Sequence, residues 1–191
     1  IYEQGSGKNF LLLHGTGGDE HSMLDIAHYL DDQSTRLSFR GRIQENGMNR
    51  FFKRNGLNQF DLVSLEEETD YLLQQIEAIS SEQGIPMESW IIVGYSNGAN
   101  IAAHLLLERE TPLRQAILLH PMSLGVDTRS EAMPDKKVLV TYGGDDPIVS
   151  PQAFQVLVDQ LERRSVQTTV VRTDSGHQVT LDEIEQAKAW L

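Results

Sequence analysis

The sequence predicts an α/β fold: a mostly parallel sheet with helices on both faces. Two observations predict it. Short apolar runs alternate along the chain with amphipathic stretches at helical spacing, which implies βαβ units. No internal repeat or low-complexity segment interrupts that alternation, and 191 residues suit one domain, read here as residues 1–191.

Taken in order, Asn9–Leu13 reads as a buried strand, ended by Gly15, Gly17 and Gly18. Met23, Ile26, Ala27 and Leu30 then follow i, i+3, i+4, i+7, one face of a helix. Arg36–Phe39 is a second, weaker strand. The stretch Gly41–Asn58 is rich in Gly, Asn and Arg and reads as a loop. Ser64 with Glu67 reads as a capping box before Leu65, Leu72, Leu73, Ile76 and Ile79, a helix that stops before Gly84 and Pro86. Trp90–Val93 is another buried strand. Asn97–Glu108 is apolar on most sides and predicts a buried helix. Ala116–Leu119 and Val138–Tyr142 are further strands. Ser150 before Pro151 starts a helix, with proline at its first position and Phe154, Leu157, Val158 and Leu161 on one face. Thr168–Val171 is the last strand, and Thr180 with Glu183 caps a final helix through Ile184, Ala187 and Leu191. In a sheet of this kind the site lies at the carboxyl ends of the strands.

Composition excludes several functions. The chain carries 16 basic and 28 acidic side chains, a formal charge of −12, which repels phosphate backbones. The nearest thing to a basic patch, Arg50, Phe51, Phe52, Lys53, Arg54, is short, so no nucleic-acid partner is expected. With no cysteine there is no disulfide, no thiolate nucleophile and no Cys-ligated metal. The longest apolar runs are four residues, against roughly 20 for a membrane span. No signal peptide and no Asn-x-Ser/Thr site is visible, and the expected location is cytoplasmic; the chain opens on Ile1 rather than Met, which leaves room for an upstream piece.

One motif is sharp. Gly94-Tyr95-Ser96-Asn97-Gly98 follows a strand and opens a helix, the setting a nucleophile elbow requires. A serine on so tight a turn projects its hydroxyl into the site, and the helix amino terminus offers unpaired N–H groups to developing negative charge. The plainer reading is a Gly-rich turn with a capping serine. A nucleophilic serine needs a base, and in this architecture the chain order is serine, acid, histidine. His104, His120 and His177 follow Ser96. His104 falls in the buried helix and reads as core. His120 precedes Pro121 at a strand end and could line the site, but no acid separates it from the strand after Ser96. His177, in the loop Asp174-Ser175-Gly176-His177 after the last strand, suits a base that must reach the serine. The acid belongs to Gly143-Gly144-Asp145-Asp146-Pro147, which offers two carboxylates. His14-Gly15-Thr16-Gly17-Gly18 follows the first strand, where an oxyanion donor is expected; the Thr16 N–H is the candidate, paired with the Asn97 N–H. Gly5-Ser6-Gly7-Lys8 lacks the upstream glycine and strand of a phosphate loop, and Glu66-Glu67-Glu68-Thr69-Asp70 reads as surface charge on a helix start.

Four motifs, His14-Gly15-Thr16-Gly17-Gly18, Gly94-Tyr95-Ser96-Asn97-Gly98, Gly144-Asp145-Asp146-Pro147-Ile148-Val149 and Ser175-Gly176-His177, together with Met48-Asn49-Arg50-Phe51-Phe52 and Phe60-Asp61, resemble the α/β-hydrolase superfamily. More narrowly they resemble its small phospholipase/carboxylesterase branch, over about residues 9–190. The resemblance implies a three-layer α/β-hydrolase fold with minimal lid, since the short chain leaves no room for a large lid domain. It implies Ser96, Asp146 and His177 as the triad, Thr16 and Asn97 as oxyanion donors, and no cofactor. The acid that precedes the proline in that family is matched here by Asp146 rather than Asp145.

The function expected is hydrolysis of small, neutral or apolar carboxylic esters through an acyl-enzyme on Ser96. Acyl thioester or lysophospholipid hydrolysis is the alternative, and a non-catalytic binding module on the same fold is a third. Phe51, Phe52, Met122 and Ile148, all near carboxyl strand ends, are the expected pocket walls. The expected partner is a small ester, with a homodimer left open.

Overall fold

Each apolar run expected to form a strand does so in the computed structural model, which describes residues 1–191. The main sheet has seven strands in the order β1 (Tyr2–Glu3), β3 (Thr35–Phe39), β2 (Asn9–Leu13), β8 (Trp90–Tyr95), β9 (Gln115–Leu119), β10 (Lys137–Gly143), β11 (Gln167–Thr173). All neighbours pair in parallel except β1, a two-residue strand antiparallel to β3 that the sequence reading did not anticipate. Helices α1 (Leu24–Leu30), α2 (Leu62–Gln83), α3 (Asn97–Glu108), α4 (Pro151–Arg163) and α5 (Leu181–Trp190) cover it.

Successive side chains of a strand point to opposite faces. On β2, Leu11 and Leu13 therefore join Leu65, Leu72 and Ile76 of α2, Ile101 and Leu105 of α3 and Phe154 and Leu157 of α4. Phe10 and Leu12 join Ala27 and Leu30 of α1 and Ile184 and Ala187 of α5. Both faces of the central strands are dry, which explains apolar runs without alternation. Each such leucine contributes about 1.5–3 kcal/mol by leaving water. α3 is buried along its whole length beneath β8 and β9, as its near-uniform apolarity predicts. The end of β8, the start of α3 and the loops after β9, β10 and β11 consequently meet at one edge of the sheet.

Two local expectations are corrected. α2 starts earlier than the Ser64–Glu67 capping box implies: Asp61 is its N-cap, its carboxylate accepting from the Ser64 N–H. The Ser64 hydroxyl instead accepts from the Lys53 N–H at 2.9 Å, tying the preceding segment to the helix. That segment, expected as a loop, contains two antiparallel hairpins, β4 (Ile43–Glu45) with β5 (Met48–Arg50) and β6 (Arg54–Gly56) with β7 (Gln59–Phe60). The first turns on Asn46 (φ 51°) and Gly47 (φ 80°), the Asn-Gly pair that suits a two-residue turn with both central φ positive.

Candidate active site

Ser96 sits between β8 and α3 with φ 50° and ψ −110°. A non-glycine residue held there is strained, and such conformations persist only where surrounding structure enforces them. The enforcement comes from its flanking glycines. A Cβ on Gly98 would lie 2.1 Å from the Leu13 carbonyl oxygen, and one on Gly94 would lie 2.9 Å from the Ala99 nitrogen. Strand and helix can approach this closely only if both positions lack side chains. The Ser96 N–H donates to the Leu119 carbonyl at 2.9 Å, fixing the turn to β9.

The Ser96 Oγ lies 2.7 Å from His177 Nε2, and His177 Nδ1 lies 2.7 Å from Asp146 Oδ2. For Nε2 to accept the serine proton, the imidazole must carry its own on Nδ1 and donate to Asp146. Asp146 Oδ1 accepts from the N–H groups of Ile148 (2.8 Å) and Val149 (3.0 Å). Burial alone would raise this carboxyl; the His177 imidazole and those two N–H groups overcome burial and hold it below the usual carboxylate range. Asp145 is exposed, and its backbone N–H donates to the Ser175 carbonyl at 2.9 Å, coupling acid loop to histidine loop.

The segment His14–Gly18 faces the elbow. The Thr16 N–H donates to no protein group, and Asn97, first residue of α3, has no helical partner for its own N–H. Both residues line the cleft beside Ser96. The loop is held from behind by the β4–β5 hairpin region: Arg50 Nη1 donates to the Thr16 hydroxyl at 2.5 Å, the Gly17 N–H to the Asn49 carbonyl and the Asn49 amide to the Gly18 carbonyl. His14 is tied on both nitrogens. Its Nδ1 lies 2.6 Å from the Gly15 carbonyl and Nε2 accepts from the Gly41 N–H at 2.9 Å, which defines a neutral tautomer. Burial pushes its pKa down in the same sense.

The cleft over Ser96 has a volume of about 280 Å³. Met122 and Ile148 line it. Phe51 and Phe52 do not: both are buried in the core, at 5% and 0% exposure. Phe51 packs against His14, ring centroids 4.6 Å apart, and Phe52 meets the edge of Phe60 at 5.6 Å. They follow β5 directly, where the Phe51 N–H donates to the Asn97 side-chain oxygen at 2.8 Å and both rings join the larger core cluster. The apolar wall is supplied instead by Met48, Leu57 and Phe60, with Arg50, Arg54 and Asn58 between them. Leu57 and Phe60 lie on the second hairpin, which no apolar periodicity marked.

The sequence reading also passed over His120 as a base lacking an acid. It directly follows β9 with φ 55° and lines the cleft. Its Nδ1 lies 3.2 Å from Asp146 Oδ2 and its Nε2 2.6 Å from Glu183 Oε1. Both acids lie later in the chain, from different elements, so spacing could not reveal them. His120, Asp146 and His177 place donor atoms within 4.8 Å of one another. Those atoms already face one another at hydrogen-bonding separations, and both oxygens of Asp146 are engaged, so protons rather than a metal account for the set. The expectation that His104 is core needs one addition: it is buried but bonded through Nε2 to Glu66 at 2.7 Å.

A serine, a histidine aligned to accept its proton, a buried carboxylate and two free N–H groups can together support nucleophilic acyl transfer. No helix is long and apolar enough to cross a membrane. Residues 4–191 match the model of the phospholipase/carboxylesterase family. MhqD of Bacillus subtilis (strain 168), a protein named as a hydrolase, is 40% identical over 194 residues, covering 100% of this chain and 96% of its own. The crystal structure of the Bacillus cereus carboxylesterase superposes with a TM-score of 0.96 at 36% identity, covering 100% of this chain and 91% of that one. The structure of YahD with malic acid superposes at 0.95, also at 36% identity, covering 100% and 96%. Motif order, sheet topology and likeness over the full length agree: the chain belongs to the phospholipase/carboxylesterase family of α/β-hydrolases.

Proposed function

We propose that this hydrolase cleaves small carboxylic esters through an acyl-enzyme on Ser96. The observation that carries the reading is the unbroken run from Ser96 Oγ to His177 to Asp146, both contacts at 2.7 Å. Ser96 Oγ attacks the ester carbonyl while His177 Nε2 takes its proton. The oxyanion is held by the Thr16 and Asn97 N–H groups. His177 then gives the proton to the departing alkoxide, leaving the acyl group on Ser96. In the second half His177 takes a proton from water, hydroxide adds to the acyl carbonyl, and the acid departs as Ser96 regains its proton. Asp146 keeps the imidazole in the correct tautomer and stabilises the imidazolium. Thioesters would use the same steps.

A second substrate reading has its own support. Arg50 and Arg54 both line the cleft and share one carboxylate, Glu45, at 3.4 and 3.0 Å. Burial and the neighbouring Arg54 lower Arg50 to about 10, which still leaves it charged at neutral pH. Locally the cleft is therefore less hostile to anions than the net charge of −12 implies. The neighbour YahD was solved with malic acid. This favours esters that carry a separate carboxylate alongside neutral ones.

The test is covalent labelling with a fluorophosphonate probe. The wild-type protein should label at Ser96 and Ser96→Ala should neither label nor hydrolyse p-nitrophenyl acetate, with about a 10⁴-fold loss of kcat. A folded wild-type protein that never labels would instead mean a binding module on this fold.

A further inference from the structure

We propose that His120, held by Glu183, is a positioning residue for the reaction: a buried imidazolium that clamps the Asp146 carboxylate against His177. The inference rests on the reading of Ser96, His177 and Asp146 as the acyl-transfer site.

The hydrogen-bonding geometry fixes where the protons sit. Asp146 Oδ2 accepts from His177 Nδ1 at 2.7 Å and faces His120 Nδ1 at 3.2 Å. An ionised carboxylate only accepts, so His120 must carry a proton on Nδ1. Its other nitrogen faces a second carboxylate, Glu183 Oε1, at 2.6 Å. The remaining Glu183 oxygen accepts the Thr180 N–H at 3.0 Å, in the capping box of α5. The side chains of His120, Asp146 and Glu183 are each 0% exposed, so water settles none of these contacts. An imidazole with protons on both nitrogens satisfies both carboxylates at once. A neutral one would set its Nε2 lone pair against Glu183 unless the acid were protonated.

The groups that face His120 come from four elements: Asp146 from the loop after β10, Glu183 from α5, His177 from the loop after β11, and Tyr95 from the end of β8. Burial alone would lower the His120 pKa; Glu183 and then Asp146 overcome it and raise it above the ordinary histidine value. The backbone supports the same role. His120 takes φ 55°, and its N–H is tied to the Thr141 hydroxyl at 3.1 Å, so a strained strand end is maintained with this side chain aimed at the acid.

The His120 and His177 rings lie 5.5 Å apart between centroids. A cation at that distance disfavours a second proton on His177, and by drawing on the Asp146 charge it weakens the partner that would favour that proton. Removing the cation removes both effects, so the acid limb of kcat/KM should move to higher pH in the variant.

The experiment is the kcat/KM pH profile for p-nitrophenyl acetate on wild type, His120→Asn and Glu183→Gln. Asn leaves an amide near Asp146 without the charge; Gln leaves the α5 cap its acceptor but removes the second carboxylate. His120→Asn should move the acid limb up by about 0.5–1 pH unit, and Glu183→Gln in the same direction by less, with high-pH plateaus reduced by about tenfold or less. Limbs that stay at the wild-type pH while only the plateau falls would make His120 merely structural. As a measurement that needs no variant, ¹⁵N NMR of the wild-type imidazoles at pH 7 should show one histidine protonated on both nitrogens in slow exchange with water. A His120 found neutral overturns the proposal. Fluorophosphonate labelling of the wild type runs alongside: labelling with unmoved limbs sinks only the His120 role, whereas no labelling sinks the acyl-transfer reading itself.

Discussion

The hydroxyl of Tyr95 donates to the backbone carbonyl of His177 at 2.8 Å, joining the residue before Ser96 to the histidine hydrogen-bonded to that serine. The two rings also pack, with centroids 5.6 Å apart. The contact spans 82 residues of chain and holds a glycine-containing loop against the elbow. A hydrogen bond of this kind is worth about 1 kcal/mol. Tyr95→Phe keeps the ring and loses the donor, so kcat/KM for p-nitrophenyl acetate should fall about fivefold with the circular dichroism spectrum unchanged. An unaltered kcat/KM would mean that the loop is held without this bond.

Asp145 and Asp146 are adjacent carboxylates with opposite surroundings. Asp146 has a side chain at 0% exposure and bonds His177, while Asp145 is exposed and engages the histidine loop only through its backbone. Asp146→Asn should lower kcat by about 10³–10⁴-fold, because an amide cannot hold the imidazole in the required tautomer. Asp145→Asn should change it by no more than a few-fold. Steady-state kinetics on the pair checks the assignment, and a reversed ranking would move the acid to Asp145.

Phe52 and Leu57 should separate stability from substrate contact. Phe52 is fully buried in the larger core cluster, whereas Leu57 is 61% exposed and lines the cleft. Phe52→Ala should cost about 3–5 kcal/mol of folding stability, visible as a drop in Tm. Leu57→Ala should leave Tm within a degree or two and raise KM for aryl esters. Thermal melts and Michaelis curves on the two variants decide it; a raised KM with unchanged Tm for Phe52→Ala would restore it to the pocket wall.

A cleft of about 280 Å³ holds a small ester and little more. Each additional methylene it can bury is worth about 0.8 kcal/mol, and those beyond its walls gain nothing. Across a series of p-nitrophenyl esters, kcat/KM should peak at short or medium acyl chains. A steady rise into long chains would require a tunnel extending past Met122 and Ile148. In the same series, an ester bearing a free carboxylate should lose more activity in Arg54→Gln than its neutral counterpart does, and more so at low salt.

Much of this protein is legible along the chain because it is encoded locally. Alternating apolar runs and helical faces specify the parallel sheet and its layers, since each strand and helix declares its own period. Gly94-Tyr95-Ser96-Asn97-Gly98 declares the elbow, because the clashes that forbid side chains at Gly94 and Gly98 arise within one strand–turn–helix unit and the strand beside it. The loops bearing Asp146 and His177 follow from their order. The remainder depended on contacts between segments far apart in sequence. Whether Phe51 and Phe52 wall a cleft or fill a core was decided by where the segment after β5 meets Asn97 of α3 and the core beside it. The capping residue of α2 shifted to Asp61 because Ser64 had a partner in Lys53, outside the helix. His120 gained its acids from positions 146 and 183 only when β9, the loop after β10 and α5 converged on one buried point. Periodicity and spacing report what a residue's neighbours in sequence demand; a buried side chain answers to whatever charge the fold brings against it.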